Sequence, residues 1–326
     1  MKQLKIGIVG GRGYVAGELL RLLLHHPAAE IAYVQSSSAP NERIGDTHLD
    51  LDHTELRFVA EAHSEVDVLF LCQGHGRSRA FLENFTLQKN TRVIDLGNDF
   101  RLAADACFGD LEFVYGLVEV NRERIRTARA VANPGCFATA IQLALLPLAA
   151  AGLLDEHVHV HAITGATGAG AGLRETSHFS YRNNNLSIYK AFRHQHLGEI
   201  NRTLRGLQQD FAGAIHFLPV RGDFPRGIFA SIYQQTELDE HALHQLYQDY
   251  YADAAFVHLS ERTVHLKQVV NTNYAYLQVE HIDGKALLTC AIDNLLLGAA
   301  GRAVQNMNLM CGLPETLGLT LKASGY

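Results

Sequence analysis

The chain has 326 residues, 47% of them hydrophobic and 19% charged, and carries a formal net charge of −6. That length suits one large domain or two ordinary ones with a sizeable core. The acidic balance and scattered basic residues exclude a general nucleic-acid binder. The longest apolar run, Ala138 to Leu154, is broken by Thr139, Gln142, Pro147 and Gly152, so no span of about 20 apolar residues marks a membrane helix.

In chain order, Lys5 to Val9 reads as a strand with no signal-peptide pattern before it. Glu18 to His25 follows as a leucine-rich helix. Glu30 to Gln35, Val66 to Leu71, Arg92 to Leu96 and Arg129 to Ala132 read as further short strands, and a helix follows Asn133-Pro134-Gly135. Short apolar strands alternating with helices predict a parallel, doubly wound sheet. After Leu154 the pattern changes. His157 to Thr164 alternates like a strand and leads into a glycine-rich loop, Gly165 to Gly172. Tyr189 to Gln208 reads as a helix, as do Glu240 to Tyr251 and Leu296 to Leu309. Ile228 to Gln234, Gln268 to Val270, Tyr274 to Glu280 and Ala286 to Ile292 read as strands of a mixed or antiparallel sheet. The predicted fold is α/β: a Rossmann-type domain over 1–135, to which 300–326 returns, and an α+β catalytic domain over 136–299.

The first strand runs into Gly10-Gly11-Arg12-Gly13-Tyr14 and then a helix. Glycines at such a turn let the backbone approach a pyrophosphate, and the helix N-terminus offers free N–H groups. The spacing is GxxG rather than GxGxxG, so position after the first strand carries the argument. The second strand ends in Gln35-Ser36-Ser37-Ser38, with no acidic residue to bond a ribose 2′-hydroxyl. Serine hydroxyls there accommodate a 2′-phosphate, which favours NADP(H) over NAD(H).

Five cysteines at wide, irregular spacing form neither a disulfide framework nor a CxxC metal site, and fit a reducing cytoplasm. Cys136 differs from the others by opening a helix after Pro134-Gly135. The positive end of a helix favours the thiolate. A thiolate there attacks a carbonyl, and backbone N–H groups hold the oxyanion. A lone cysteine at a helix start is often structural, and the nucleotide-binding pattern beside it is what points to chemistry. As a thioester, a carboxylic acid derivative accepts hydride, and an acyl phosphate supplies the activated carbonyl. His157, His159 and His161 share one strand face, but without further ligands they read as a polar face, and no metal is expected.

The ordered blocks Gly10–Tyr14, Asp95-Leu96 with Asp99-Phe100-Arg101, Val114–Leu117, Asn133–Cys136, Thr164–Gly170, His194-Gln195-His196 with Glu199-Ile200, Phe224–Ile228, Asp293–Leu295, Gly298–Gly301 and Gln305–Asn308 span essentially the whole chain. Through them the chain resembles the N-acetyl-γ-glutamyl-phosphate reductases, an arginine-biosynthesis branch of the semialdehyde dehydrogenases. The resemblance implies NADPH-dependent reduction of an N-acyl-γ-glutamyl phosphate to the semialdehyde, with release of phosphate, in a cytoplasmic homo-oligomer, dimer or tetramer. It implies Cys136 as nucleophile and His196, with His194 as rival, as the acid/base. It implies Arg101, Arg226, Asn133 and Glu199 as substrate contacts. It places Gly74 and His75 after the third strand, and Gly168, Asn294 and Gly298, near the cofactor, with Gly10, Gly11, Arg12, Gly13, Tyr14, Ser36, Ser37 and Ser38.

The chain departs from the family pattern at Leu297 (commonly Lys), Val220 (often His), Val118 (Pro) and Phe137-Ala138 (Tyr-Pro). The first two leave the acyl group open between N-acetyl and N-succinyl. Two other classes remain at this point: another semialdehyde dehydrogenase, such as the aspartate enzyme, and a non-catalytic NADP-binding regulator. A cysteine hydrolase is disfavoured because it has no use for the Gly10–Gly13 turn.

Overall fold

The computed structural model describes residues 3–325. The chain divides into two compact units. One runs up to Pro134 and takes in Ala299–Thr320; the other is Gly135–Gly298 with the chain from Leu321 onward. The segment from Leu321 therefore groups with the second unit, where Ser324 N donates to Val270 O and Asn271 Nδ2 to Ser324 Oγ.

The first unit is built on an eight-stranded sheet ordered β3-β2-β1-β4-β5-β8-β7-β6. Its strands are β1 Leu4–Val9, β2 Ala29–Gln35, β3 Phe58–Val59, β4 Val68–Leu71, β5 Arg92–Asp95, β6 Cys107–Phe108, β7 Leu111–Tyr115 and β8 Ala130–Ala132. All pair in parallel except β6 with β7. Ile6, Ile8 and Val9, buried on both faces, are what a covered parallel sheet demands. β1 has β2 on one side and β4 on the other, so strand order reverses at β1, where ligands bind in such sheets. The helix Tyr14–Leu23 begins four residues before the apolar run Glu18 to His25 suggested, because Gly13 already caps it.

The helix Gly301–Met310 belongs to this unit and is buried along its whole length despite three amide side chains. Those amides are internal ties. Asn306 Nδ2 donates to Gly116 O and Asn133 Oδ1, and Asn308 Nδ2 donates to the carbonyls of Glu315 and Leu317. Arg302, fully buried, pairs with Glu119 at 2.9 Å. The predicted single helix Leu296 to Leu309 is a wide π-helical turn, Leu296–Ala300, followed by this helix.

The second unit holds a seven-stranded mixed sheet ordered β10-β11-β9-β12-β15-β14-β13. The strands are β9 His157–Thr164, β10 Ser187–Ile188, β11 Ala214–Arg221, β12 Ile228–Gln235, β13 Val257–Leu259, β14 Ala275–Ile282 and β15 Lys285–Ile292. β14 and β15 form a hairpin closed by Asp283 and Gly284 at positive φ, the two-residue turn whose twist suits a hairpin. The helix Cys136–Ala150 is buried from Phe137 to Ala149. Pro147 has no N–H, which strips the Leu143 carbonyl of its helical donor. The Tyr251 hydroxyl supplies one, and Tyr247 does the same for Ala144 O at 2.6 Å.

Two expectations are corrected. Of the helix expected over Tyr189 to Gln208, His196–Leu207 forms, but the chain before it is not helical; Lys190 and Phe192 have positive φ, and Tyr189 N and Phe192 N donate to Pro219 O and Phe217 O on β11. Gln268–Val270 is not a strand, since Leu266–Gln268 forms a single 3-10 turn. No helix among the described residues is long and apolar enough to cross a membrane.

Candidate active site

In the first unit, Gly10 sits at φ +85°, a conformation open to glycine at little cost. A Cβ on Gly10 would strike the backbone of Gln73 at 2.7 Å, and one on Gly11 would strike Val34 at 2.4 Å. The N–H groups of both glycines donate to Gln35 O, which ties the turn to the end of β2. Gly13 caps the following helix without a side chain, leaving its first N–H groups to a ligand. Arg12 Nη1 donates to Ser38 Oγ at 3.3 Å, and Ser36 Oγ lies 3.3 Å from Ser38 Oγ. A guanidinium beside paired hydroxyls is a donor set for a phosphate, and no carboxylate is among these residues. Gly74 and Gly76 adopt positive φ after β4. Asp99 holds that loop by accepting from Gly76 N at 2.7 Å and Arg79 N at 3.0 Å. Tyr14 and His75 are exposed.

Asp95 ends β5 fully buried. Ser78 Oγ donates to it at 2.5 Å and Gly97 N at 2.9 Å. Burial nonetheless pushes its carboxyl up to about 6, against the pull of these donors and of Arg101. Arg101 is itself buried and donates through Nη2 to Leu96 O. Asn133, also in this unit, uses its amide at both ends: Nδ2 donates to Ala299 O and Oδ1 accepts from Asn306.

The second unit carries the candidate nucleophile. Of the five thiols, burial pushes Cys72 and Cys290 up strongly and Cys311 to about 11, and such thiols are poor nucleophiles. Cys107 lies exposed on β6. Cys136 is part-exposed and is the first residue of its helix, preceded by Gly135, which has no side chain to bond the first N–H groups. The helix dipole and uncapped N–H groups therefore act on the one cysteine placed to use them.

Three neighbours crowd this helix tip. A Cβ on Gly135 would lie 2.4 Å from His196 Nε2, and one on Gly298 would lie 2.8 Å from Cys136 Cβ. Glu199 Oε2 accepts from Gly135 N at 2.9 Å, while its Oε1 lies 3.9 Å from His196 Nε2. Glu199, predicted to bind substrate, thus joins the nucleophile turn to the histidine. His194 stacks edge-on against His196, 4.6 Å between centroids, and its Nδ1 accepts from His196 N. It is the His196 ring that packs against the nucleophile turn at Gly135.

Arg226 is forked onto the fully buried Asp293 through Nε at 3.1 Å and Nη2 at 3.2 Å. Asp293 also accepts from the N–H groups of Asn271, Leu295 and Leu296. Asn294 accepts from Gly227 N and donates to Thr167 Oγ1, so it joins three loops. A Cβ on Gly168 would approach Thr164 Oγ1 at 3.2 Å. Val220 and Leu297, the departures from the family pattern, are both buried.

Sequence reasoning passed over Asp293 as a site residue, and it passed over Tyr189 and Arg221 entirely. The Arg221 guanidinium lies 4.7 Å from the Tyr189 ring centroid, and Tyr189 stacks edge-on to His194. Burial raises the Tyr189 phenol to about 12; the Arg221 charge opposes this and the Cys136 thiol adds to it. The one available signal was an arginine beside the departing Val220. The three histidines of β9 do share a face, where His157 Nδ1 lies 3.1 Å from His216 Nε2 and His159 stacks on Tyr233.

Residues 5–128 match the model of the semialdehyde dehydrogenase NAD-binding domain, and residues 136–294 that of the semialdehyde dehydrogenase dimerisation domain. A protein of Flavobacterium johnsoniae named N-acetyl-gamma-glutamyl-phosphate reductase is 50% identical over 99% of this chain and 100% of its own length. The protein of that name from Parabacteroides distasonis is also 50% identical, over 99% and 100%. Aspartate semialdehyde dehydrogenase II of Vibrio cholerae shares the fold, with a TM-score of 0.72 at 16% identity, over 96% of this chain and 99% of its own. The chain belongs to the N-acetyl-γ-glutamyl-phosphate reductase family of the semialdehyde dehydrogenases.

Proposed function

We propose that this enzyme reduces N-acetyl-γ-glutamyl phosphate to N-acetylglutamate 5-semialdehyde and phosphate with NADPH, as a step of arginine biosynthesis in the cytoplasm. The observation that carries the reading is the set of groups at the tip of the Cys136 helix: a part-exposed thiol, an uncapped helix N-terminus, and His196 against Gly135. The Cys136 thiolate attacks the acyl carbon and phosphate leaves, giving a thioester. Helix N–H groups stabilise the oxyanion of that step. Glu199 holds Gly135 N and lies beside His196, keeping the turn and the ring in register. His196 takes the thiol proton, gives it to the oxygen of the reduced carbon, and takes it back as the C–S bond breaks, so that the aldehyde leaves and the Cys136 thiolate is restored.

NADPH, when bound, supplies the hydride that reduces the thioester. Gly10, Gly11, Gly13 and Tyr14 would hold its pyrophosphate, and Arg12 with Ser36, Ser37 and Ser38 its 2′-phosphate. The family's dimerisation domain supports assembly from identical chains, and the reading is a dimer or a dimer of dimers; light scattering on the purified protein measures this.

The test is the reverse reaction: NADP reduction with N-acetylglutamate semialdehyde, with and without phosphate, for wild type and Cys136→Ala. Activity that needs both phosphate and the thiol supports the reading. Phosphate-dependent activity only with the N-succinyl aldehyde changes the substrate and keeps the mechanism. No activity with either, in a protein that binds NADP, supports a regulatory role.

A further inference from the structure

The second unit has an arginine whose charge is balanced and one whose charge is not. Arg226 is held by Asp293 on two N–H groups. Arg221, at the end of β11, has no carboxylate within ion-pair distance among the described residues. What anchors Arg221 is neutral: Nη1 donates to Ala166 O at 3.2 Å and Gly165 O at 3.5 Å, and the plane lies over Tyr189. A guanidinium has five N–H donors. Among the described residues the loop carbonyls engage Nη1 alone, so Nε and Nη2 remain for a forked contact.

Its place matters as much as its charge. The Tyr189 ring lies 4.7 Å from the Arg221 guanidinium and 5.7 Å from the His194 ring, which itself packs edge-on to His196. Thr164, paired with Arg221 in the β9–β11 register, is 1% exposed, and its hydroxyl has no hydrogen-bond partner. A Cβ on Gly168 would approach that hydroxyl at 3.2 Å and Arg221 Nη1 at 3.6 Å. An unbalanced cation and an unpartnered hydroxyl thus flank one glycine.

The geometry points to Arg221 as a residue that binds a carboxylate of the substrate. This rests on the functional reading above. The free part of the guanidinium is a planar fork, which matches a carboxylate. Two carboxylates meet that description: the α-carboxylate of the glutamyl group, and a second one on the acyl group, as in N-succinyl.

The experiment is reverse-direction kinetics of wild type, Arg221→Leu and Arg221→Lys with three aldehydes: N-acetylglutamate semialdehyde, its α-carboxamide, and the N-succinyl analogue. Loss of a charge-assisted fork raises KM for the aldehyde roughly 10- to 100-fold, with kcat changed much less and with partial recovery in Arg221→Lys. If the α-carboxylate is the ligand, the effect appears with both acids and vanishes with the carboxamide. If the acyl carboxylate is the ligand, it appears with the N-succinyl aldehyde alone. Should Arg221→Leu not fold, Arg221→Lys, which keeps charge and loses the fork, carries the same comparison. Unchanged KM, an equal rise for all three aldehydes, or a change confined to the KM of phosphate overturns the proposal while the functional reading stands. Wild-type enzyme that turns over none of the aldehydes removes both.

Discussion

Gly135 and His196 are packed so closely that the ring nitrogen Nε2 occupies the space a side chain at residue 135 would need. The residue before the nucleophile is therefore glycine for a reason outside its own backbone, whose φ of −73° suits any residue. Gly135→Ala is expected to displace His196 and lower kcat about 100-fold or more, since small misplacements of catalytic groups have effects of that order. Circular dichroism would remain that of wild type. Retained activity would show that His196 is not held against this turn during catalysis.

The two histidines should separate by pH dependence. His196→Asn is expected to lower kcat about 10²- to 10⁴-fold and remove a limb of the pH–rate profile. His194→Asn should leave both limbs in place, because His194 Nδ1 serves the His196 backbone. A lost limb in His194→Asn alone would reverse the assignment.

Cofactor choice is predicted to lie with Arg12 and Ser38. Arg12→Ala removes a charged phosphate donor and should raise KM for NADPH roughly tenfold or more, with little change for NADH. Ser38→Asp should repel a 2′-phosphate and move preference toward NADH. Equal effects on both cofactors would place the 2′-phosphate elsewhere.

Asp95 makes a stability prediction. Its folded pKa, about 6, lies above the usual carboxyl value of 3.8. The folded state thus holds this proton more tightly than the unfolded one, so the contribution is full below pH 4 and is lost as pH rises through 6. Urea unfolding of wild type and Asp95→Asn should therefore show the difference moving in favour of the variant between pH 4 and pH 7. The shift should be about 3 kcal/mol. A constant difference across that range would mean that Asp95 titrates normally.

Tyr251→Phe leaves the Leu143 carbonyl, already deprived of its helical donor by Pro147, without a partner. The expected loss is about 1–3 kcal/mol of unfolding free energy. An unchanged melting temperature would show that this carbonyl finds another donor.

What the sequence disclosed was local chemistry. The Gly10–Gly13 turn and the Cys136 helix start could be read because a few adjacent residues create them. The parallel sheet followed from its apolar strands. Arg221 became visible only through the pairing of β11 with β9, which sets it opposite Thr164. Asp293 and Arg226 are 67 residues apart, and nothing in either segment announces the other. Tyr189–Gln195 has helical apolar spacing, yet its backbone bonds to β11 instead of to itself. Asn133 and Asn294 were visible as motif residues, but their hydrogen bonds tie segments together.

The helix that opens with Cys136 meets solvent scarcely at all along its next thirteen residues. Every one of those positions answers to a packed neighbour, so this helix has little freedom to vary. Farther along the same unit, in the glycine loop, a Cβ on Gly172 would meet nothing within 4 Å. Substitution in that loop is therefore expected to cost little stability, whereas substitution along the buried helix shifts the footing of the reactive sulfur.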